Sequence, residues 1–309
     1  MVEVEDEESI VDKKSDLKNK LMAEVETATD DSGFDINGDR VEEIELHLLC
    51  EGIYRRYGFD FRQYAPASLW RRTKNLMDLE GLPSISALQA KILHDRDMME
   101  RFLLNMSINV TSIFRDPDVF LSFRENVVPL LRTYPSIRIW HAGCASGEEV
   151  YSLAILLEEE HLAEKTKIYA TDINEELIKS AKQGIYPMEM MREYTDNYIK
   201  AGGKRSFSHY YRAKYDSVIL SPHLRKRIVF AHHNLVADDS FNEFNVIFCR
   251  NVLIYFNKDL QNHVHKLLYR SLCRFGVLVL GGNESVGFSP QAKLYKSLDE
   301  ARSIFQRRA

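Results

Sequence analysis

The sequence predicts an α/β protein: a mostly parallel sheet with helices on both faces, carrying an inserted subdomain and preceded by an all-α domain. Three observations predict it. Residues 39–107 show apolar residues at helical spacing, punctuated by caps and breakers. After Pro135, short β-rich apolar runs alternate with helical stretches. Between the second and third of those runs lies residues 183–227, a segment too long for an ordinary connection.

Length and composition agree. A chain of 309 residues suggests about two domains. Hydrophobic residues at 45% and charged residues at 28% are ordinary for a soluble globular protein. The longest apolar stretch, Phe275 to Leu280, is too short to span a bilayer, and the acidic start holds no signal-peptide core. Four scattered cysteines (Cys50, Cys144, Cys249, Cys273) form no CxxC pair, so neither a disulfide scaffold nor a metal site is indicated and a reduced cytoplasm is expected. Residues 1–40 hold 13 acidic against 5 basic residues, and the remainder 36 basic against 33 acidic. Neither balance is that of a nucleic-acid binder.

In chain order, residues 1–35 read as a disordered acidic leader with a transient helix near Leu17 to Val25. Residues 36–108 read as the helical domain. Asp39 and Glu42 resemble a capping box before a run through Ile44, Leu48 and Ile53, which Gly58 closes. Ser68 precedes a second helix with Leu69, Thr73 and Leu76 on one face, ended by Gly81 and Pro83. Further helices run from about Ser86 to Leu93 and Arg96 to Asn105. Residues 109–135 form a linker and connecting helix. Residues 136–309 hold the sheet, with strands at Arg138–Ala142, Lys167–Thr171, Ile228–Ala231, Val246–Cys249 and Val277–Leu280, and two short strands around Asp299-Glu300.

The chemistry concentrates at the ends of these strands. A Gly-rich turn, Gly143 to Gly147, follows the first, where a parallel sheet presents its ligand crevice. It is not a dinucleotide fingerprint, since Ala145 and Glu148 stand where G-x-G-x-x-G needs glycine. Glu148 at the helix start would repel a pyrophosphate and suit a cationic head. Asp172 ends the second strand, a position that commonly holds ribose hydroxyls, although it could instead cap the following helix. The two acids together suit S-adenosylmethionine better than NAD or ATP. The fourth strand runs into Arg250, Asn251 and Tyr255, without the Asn-Pro-Pro-aromatic motif of amino-methylating DNA enzymes.

Five segments resemble the CheR family, which esterifies glutamates of bacterial chemoreceptors: NVTSIFRDP, GCASGEEVYSLAI, YATDINEELIKSAKQGIYP, HNL at 233–235 and FCRNVLIYF. Their order and joint occurrence are specific. The resemblance covers about residues 41–309. It implies a Rossmann-like S-adenosylmethionine-dependent methyltransferase domain with a small inserted β-subdomain, preceded by an all-α domain. Carried over, Asn109, Thr111 and Arg115 line the cofactor and active site, with Gly143 at its turn. Glu148 holds the methionine portion and Asp172 the ribose. Asn234 and Leu235 border the adenine. Arg250 and Asn251 close the pocket, and Arg115 and Tyr255 serve catalysis. Ile113 and Val150 depart from the family pattern at positions not expected to touch cofactor. No Gly-Gly pair stands near Tyr210–Ile228, where some members dock a receptor's C-terminal pentapeptide.

The implied reaction is methyl transfer to glutamate carboxylates of chemoreceptor cytoplasmic helices or a receptor-like protein, without nucleic acid and without membrane insertion. A glutamate ionises near pH 4.3, so the nucleophile needs no base, and the enzyme aligns and desolvates. Arg55, Arg56, Arg71, Arg72 and Lys74 are expected to form an exposed basic docking surface for an acidic substrate. A non-catalytic cofactor-binding module, or a methyltransferase on a small carboxylic acid or RNA, are the rival readings. Arg115 with Tyr255 favours turnover, and the basic helices favour a large acidic substrate.

Overall fold

The computed structural model describes residues 40–106 and 111–309. The expected leader and the Asp39 cap lie outside the described residues, as does Asn109.

Four helices open the described chain: α1 (Arg40–Tyr57), α2 (Pro66–Leu79), α3 (Ile85–His94) and α4 (Arg96–Met106). They enclose their own core, with Leu49, Ile53, Ile85, Leu88, Ile92, Met98 and Phe102 fully buried. The second helix starts at Pro66 rather than Ser68, because proline at the first turn costs no hydrogen bond and presets φ. Ser84 caps α3, accepting from the Ala87 amide at 3.1 Å. The linker becomes α5 (Pro117–Ser122), a π-helical turn (Phe123–Val127) and α6 (Val128–Arg132).

The main sheet contains β1 (Ile137–Ala142), β2 (Thr166–Asp172), β6 (Ile228–His232), β7 (Phe244–Cys249), β8 (Leu272–Leu280), β9 (Tyr295–Asp299) and β10 (Ile304–Arg307). Their order is β6-β2-β1-β7-β8-β10-β9. The first five are parallel neighbours, and β10 and β9 add an antiparallel edge. Helix α7 (Glu148–Glu159) follows β1, α8 (Glu175–Gln183) follows β2, and α11 (Lys258–Ser271) precedes β8. Chain order reverses between β1 and β7, so a crevice opens at the carboxyl ends of the strands there.

The long segment between β2 and β6 builds a separate antiparallel sheet. It contains β3 (Ile185–Pro187), β4 (Tyr211–Lys214) and β5 (Ser217–Leu220), ordered β3-β5-β4, with α9 (Met191–Lys200) and α10 (Pro222–Arg225) beside it. A buried polar cluster anchors it to α7. Tyr198 and Tyr210 both donate to Glu159, and Arg124 from the π turn pairs with Glu159 and Glu160.

The helical domain is also stitched to the sheet domain by backbone. Tyr64 pairs with Phe256 as an antiparallel bridge, the Ala65 amide donates to the Tyr255 carbonyl at 2.8 Å, and the Asn257 amide donates to Gln63 at 3.0 Å.

His265 on α11 is 3% exposed, and burial lowers its imidazole from 6.5 to about 4. The unfolded chain binds this proton below pH 6.5 and the folded chain only near pH 4, so stability falls as pH drops through that window. The loss between pH 7 and 4.5 is on the order of 3 kcal/mol. Urea unfolding of wild type and His265→Leu at both pH values is expected to show a smaller loss in the variant. Equal losses would place the His265 titration at its ordinary value.

Candidate active site

A cavity of about 460 Å³ opens at the carboxyl ends of the parallel strands, roofed by the helical domain. That volume lies in the range that holds a cofactor-sized ligand, roughly 300–1,000 Å³. Its floor is the turn after β1. Gly143 adopts φ +75°, and a Cβ there would meet Val252 Cγ2 at 2.5 Å. The turn is pinned by the Gly143 and Cys144 amides donating to the Thr171 carbonyl at 2.8 and 2.9 Å.

Asp172 stands beside this turn, 8% exposed and facing the cavity. One carboxylate oxygen accepts from the Ala145 amide at 2.9 Å and the other from the Asn174 amide at 3.0 Å. Burial pushes its pKa up, against these amide donors. The helix-cap role belongs to Asn174, which accepts from the Glu176 and Leu177 amides. Asp172 is therefore held on the cavity wall by backbone amides rather than used as the helix cap. Asn234 and Leu235 line the wall after β6, with Asn234 Oδ1 holding the Val236 amide at 2.9 Å.

Arg250 directly follows β7 and crosses the base of the site. Its side chain is 1% exposed, pairs with Glu149, and reaches Asp116 Oδ2 at 2.6 Å. It also contacts the Arg115 carbonyl at 3.4 Å. Burial would raise the Glu149 carboxyl, but Arg250 and His141, which lies 3.1 Å away, hold it at about 2. These contacts fix a loop in which Phe114 and Asp116 both take φ +52°, an uncommon conformation for such residues. The loop places Thr111 and Arg115 on the cavity wall.

The far wall is the loop Asn251–Phe256. Glu284, 5% exposed, gathers it. Its carboxylate accepts from the amides of Asn251, Val252, Leu253 and Gly281 at 2.7–2.9 Å. Tyr255 lines the cavity from this loop, and the Arg72 guanidinium lies 4.2 Å over its ring. Burial raises the Tyr255 phenol while Arg72 opposes it.

Residues 109–301 match the CheR methyltransferase SAM-binding domain, and residues 44–107 match the CheR methyltransferase all-alpha domain. The chain belongs to the CheR methyltransferases. Among similar CheR sequences, Cher3 of Pseudomonas putida is 49% identical over 272 residues, which is 88% of this chain and 100% of that protein. The chemotaxis protein methyltransferase of Listeria monocytogenes is 29% identical over 76% of this chain and 87% of its own. Chemotaxis protein methyltransferase 1 of Pseudomonas aeruginosa is 29% identical over 74% and 84%.

The CheR cofactor is S-adenosylmethionine, and the residues present fit it. The Asp172 carboxylate on the cavity wall suits ribose hydroxyls, and the missing Cβ of Gly143 lets Val252 pack against the turn. Three of the expected site residues stand differently. Glu148 does not line the cavity: its carboxylate turns back to accept from Ser146 Oγ at 2.7 Å, so the acid at the helix start that faces the cavity is Glu149. Arg72 is not an exposed docking residue but 5% exposed, because it falls three residues after Leu69 on the apolar stripe with Thr73 and Leu76. It donates to the Met106 carbonyl, and its Nη2 finds no acceptor among the described residues. Lys74 is half-buried against Glu42. Arg55, Arg56 and Arg71 are exposed, and of the predicted basic set only Arg71 lines the cavity.

Sequence reasoning passed over Glu149, Asp116 and Glu284. The acids of GEE and FRDP sit at fixed places in their motifs, but only their shared partner Arg250 gives them a role. Glu284 follows a Gly-Gly-Asn turn after β8, and that turn was its one available signal.

Gly143→Ala is expected to push Val252 off the turn, costing about 1–3 kcal/mol of stability and weakening S-adenosylmethionine binding. Asp172→Ala is expected to weaken binding by up to about 3 kcal/mol and also to lower melting, because the Ala145 and Asn174 amides lose their acceptor. Calorimetric titration with thermal melting as control separates the two. Unchanged affinity in both variants would remove this wall from the cofactor site.

Proposed function

We propose that this methyltransferase esterifies glutamate side chains of chemoreceptors or receptor-like signalling proteins in the cytoplasm. The observation that carries the reading is the charge around Tyr255. Arg71 and Arg115 line the same cavity as Tyr255, and Arg72 packs over its ring. A carboxylate acceptor is the group such a mouth favours. The names of the Listeria and Pseudomonas relatives point the same way.

S-adenosylmethionine supplies an activated methyl on its sulfonium. The protein's residues do the rest. Asp172, Asn234 and the Gly143 turn would hold the cofactor. Arg115 would orient the incoming carboxylate by its fork of donors. Tyr255, stiffened by Arg72 and by its own backbone bond to Ala65, would close the cavity and keep water from the nucleophile. No proton moves, because the carboxylate enters ionised. The cavity carboxylates are already engaged, Glu149 by Arg250 and Asp172 by backbone amides, so neither acts as a base.

Base-labile methyl incorporation from labelled S-adenosylmethionine into receptor fragments tests the substrate. The single-turnover rate is expected to stay flat from about pH 6.5 to 8.5, since the acceptor ionises near 4.3. A rate governed by a group titrating near neutrality would point instead to an amine, hydroxyl or thiol acceptor with a catalytic base. Arg71→Glu is expected to slow methylation mainly at subsaturating receptor, with wild type losing more on raising salt, because a surface charge acts by screened attraction.

A further inference from the structure

We propose that a second, smaller cavity beside the Tyr255 loop binds an acidic side chain of the protein being methylated, one or two helical turns from the glutamate in the active site. The inference rests on the protein-glutamate reading above. It gives that substrate class a sequence requirement: the acceptor glutamate needs an acidic neighbour.

The cavity measures about 130 Å³. It lies between one face of α11, the turn after β8 and the loop that carries Tyr255. Lys258, Gln261, Asn262 and His265 of α11 line it. Their spacings of three and four residues put them on one side of the helix. Ile254 and Asn283 line this cavity and the main one alike, so they form a partition between the two.

The chemistry of the lining selects the ligand. Glu284, the carboxylate on its wall, is already engaged by the amides of Gly281, Asn251, Val252 and Leu253. Gln261 Nε2 is likewise engaged, donating to the Leu253 and Phe256 carbonyls at 3.0 Å each. The side chains of Lys258, Asn262 and Asn283 make no hydrogen bond or ion pair among the described residues. His265 is 3% exposed, and its Nδ1 has no partner among the described residues. Burial keeps its ring neutral, so it offers one N–H. One ammonium and three neutral groups that can donate therefore meet in one small space. A carboxylate, which only accepts, uses all of them. A cationic side chain would be repelled by Lys258, and an uncharged one would gain nothing from it.

The rim selects the source of that carboxylate. Phe288 is 87% exposed and Ile254 38%, and both border the cavity. Apolar groups around a polar cleft are what a protein surface covers and a small free acid does not. A helical acceptor suits the layout. Residues one or two turns apart on one face are separated by about 5–11 Å along the axis, so a glutamate in the main cavity and its acidic neighbour can straddle the Ile254 partition. The docked acid would then lie against the same loop that presents Tyr255.

The test uses the full chain, methyl-labelled S-adenosylmethionine and receptor fragments. Each acidic residue within two turns of a labelled glutamate is replaced by its amide. One such position is expected to raise the KM for the fragment about tenfold, as for loss of a charged hydrogen-bond partner, with kcat little changed. Lys258 is exposed and first in α11, where an acid suits the helix dipole, so K258E is expected to fold. It is expected to raise the same KM about fivefold or more, with S-adenosylhomocysteine affinity and melting as in wild type. The decisive arm exchanges the charges: a fragment carrying lysine at the sensitive position is expected to be a poor substrate for wild type and a better one for K258E. Equal KM values for wild type and K258E, or a lysine fragment that K258E methylates no better, would overturn this inference and leave the protein-glutamate reading standing. No base-labile label on any fragment with wild type would overturn that reading and this one with it.

Discussion

One buried guanidinium holds the site together. Arg250 projects from the end of β7 to pair with Glu149 on α7 and Asp116 in the loop before α5, and it contacts the Arg115 carbonyl. Three chain segments far apart in sequence thereby meet at one cation. Taking such a group out of water costs several kcal/mol, which its two carboxylate partners offset, while its Nε finds no acceptor among the described residues. What the pairing sets is shape. Backbone at Phe114 and Asp116 sits at positive φ, which the surroundings must over-determine for it to persist. Glu149 stays charged at the bottom of the site because Arg250 and His141 outweigh its burial.

A second buried charge governs the opposite wall. Glu284 receives backbone amides from Gly281 and from successive residues of the Asn251–Leu253 segment, which fixes the loop that carries Tyr255. A loop of this kind would otherwise lose its unpaired amides to water. The glycines around it obey the same geometry: a Cβ on Gly281 would meet Glu284 Oε2 at 2.7 Å and the Asn251 amide nitrogen at 2.8 Å. The two walls thus depend on one cation and one anion, each satisfied mostly by groups it orders.

Much of this architecture was legible in the chain. The five parallel strands announced themselves as apolar β-rich runs between helical patterns, and the long segment after β2 did form its own sheet. The turn at Gly143 and the acid at Asp172 stood out because strand ends are where open sheets bind ligands. What could not be read was direction. Glu148 and Glu149 are adjacent, and only the rotation of α7 decides which one turns to Ser146 and which to Arg250. Arg72 was misread because a charge within an arginine-rich stretch suggests solvent, whereas its spacing from Leu69 already put it on the buried stripe. Its burial is made tolerable by groups contributed elsewhere, the Met106 carbonyl and the Tyr255 ring, which no local pattern reveals.

The bridge between Tyr64 and Phe256, with the flanking Ala65–Tyr255 and Gln63–Asn257 bonds, has a consequence for communication across the molecule. The connector from α1 to α2 and the loop from β7 to α11 share one strip of backbone pairing, and Arg72 extends the strip into side chains. Any molecule that grips the helices more tightly in one placement of this strip biases the placement of Tyr255 by the same free energy. Linkage makes the effect reciprocal: a crevice occupant that favours one placement of this strip would alter the affinity of the helices by the same factor. Binding energy gathered on one domain can thus be converted into alignment at the other.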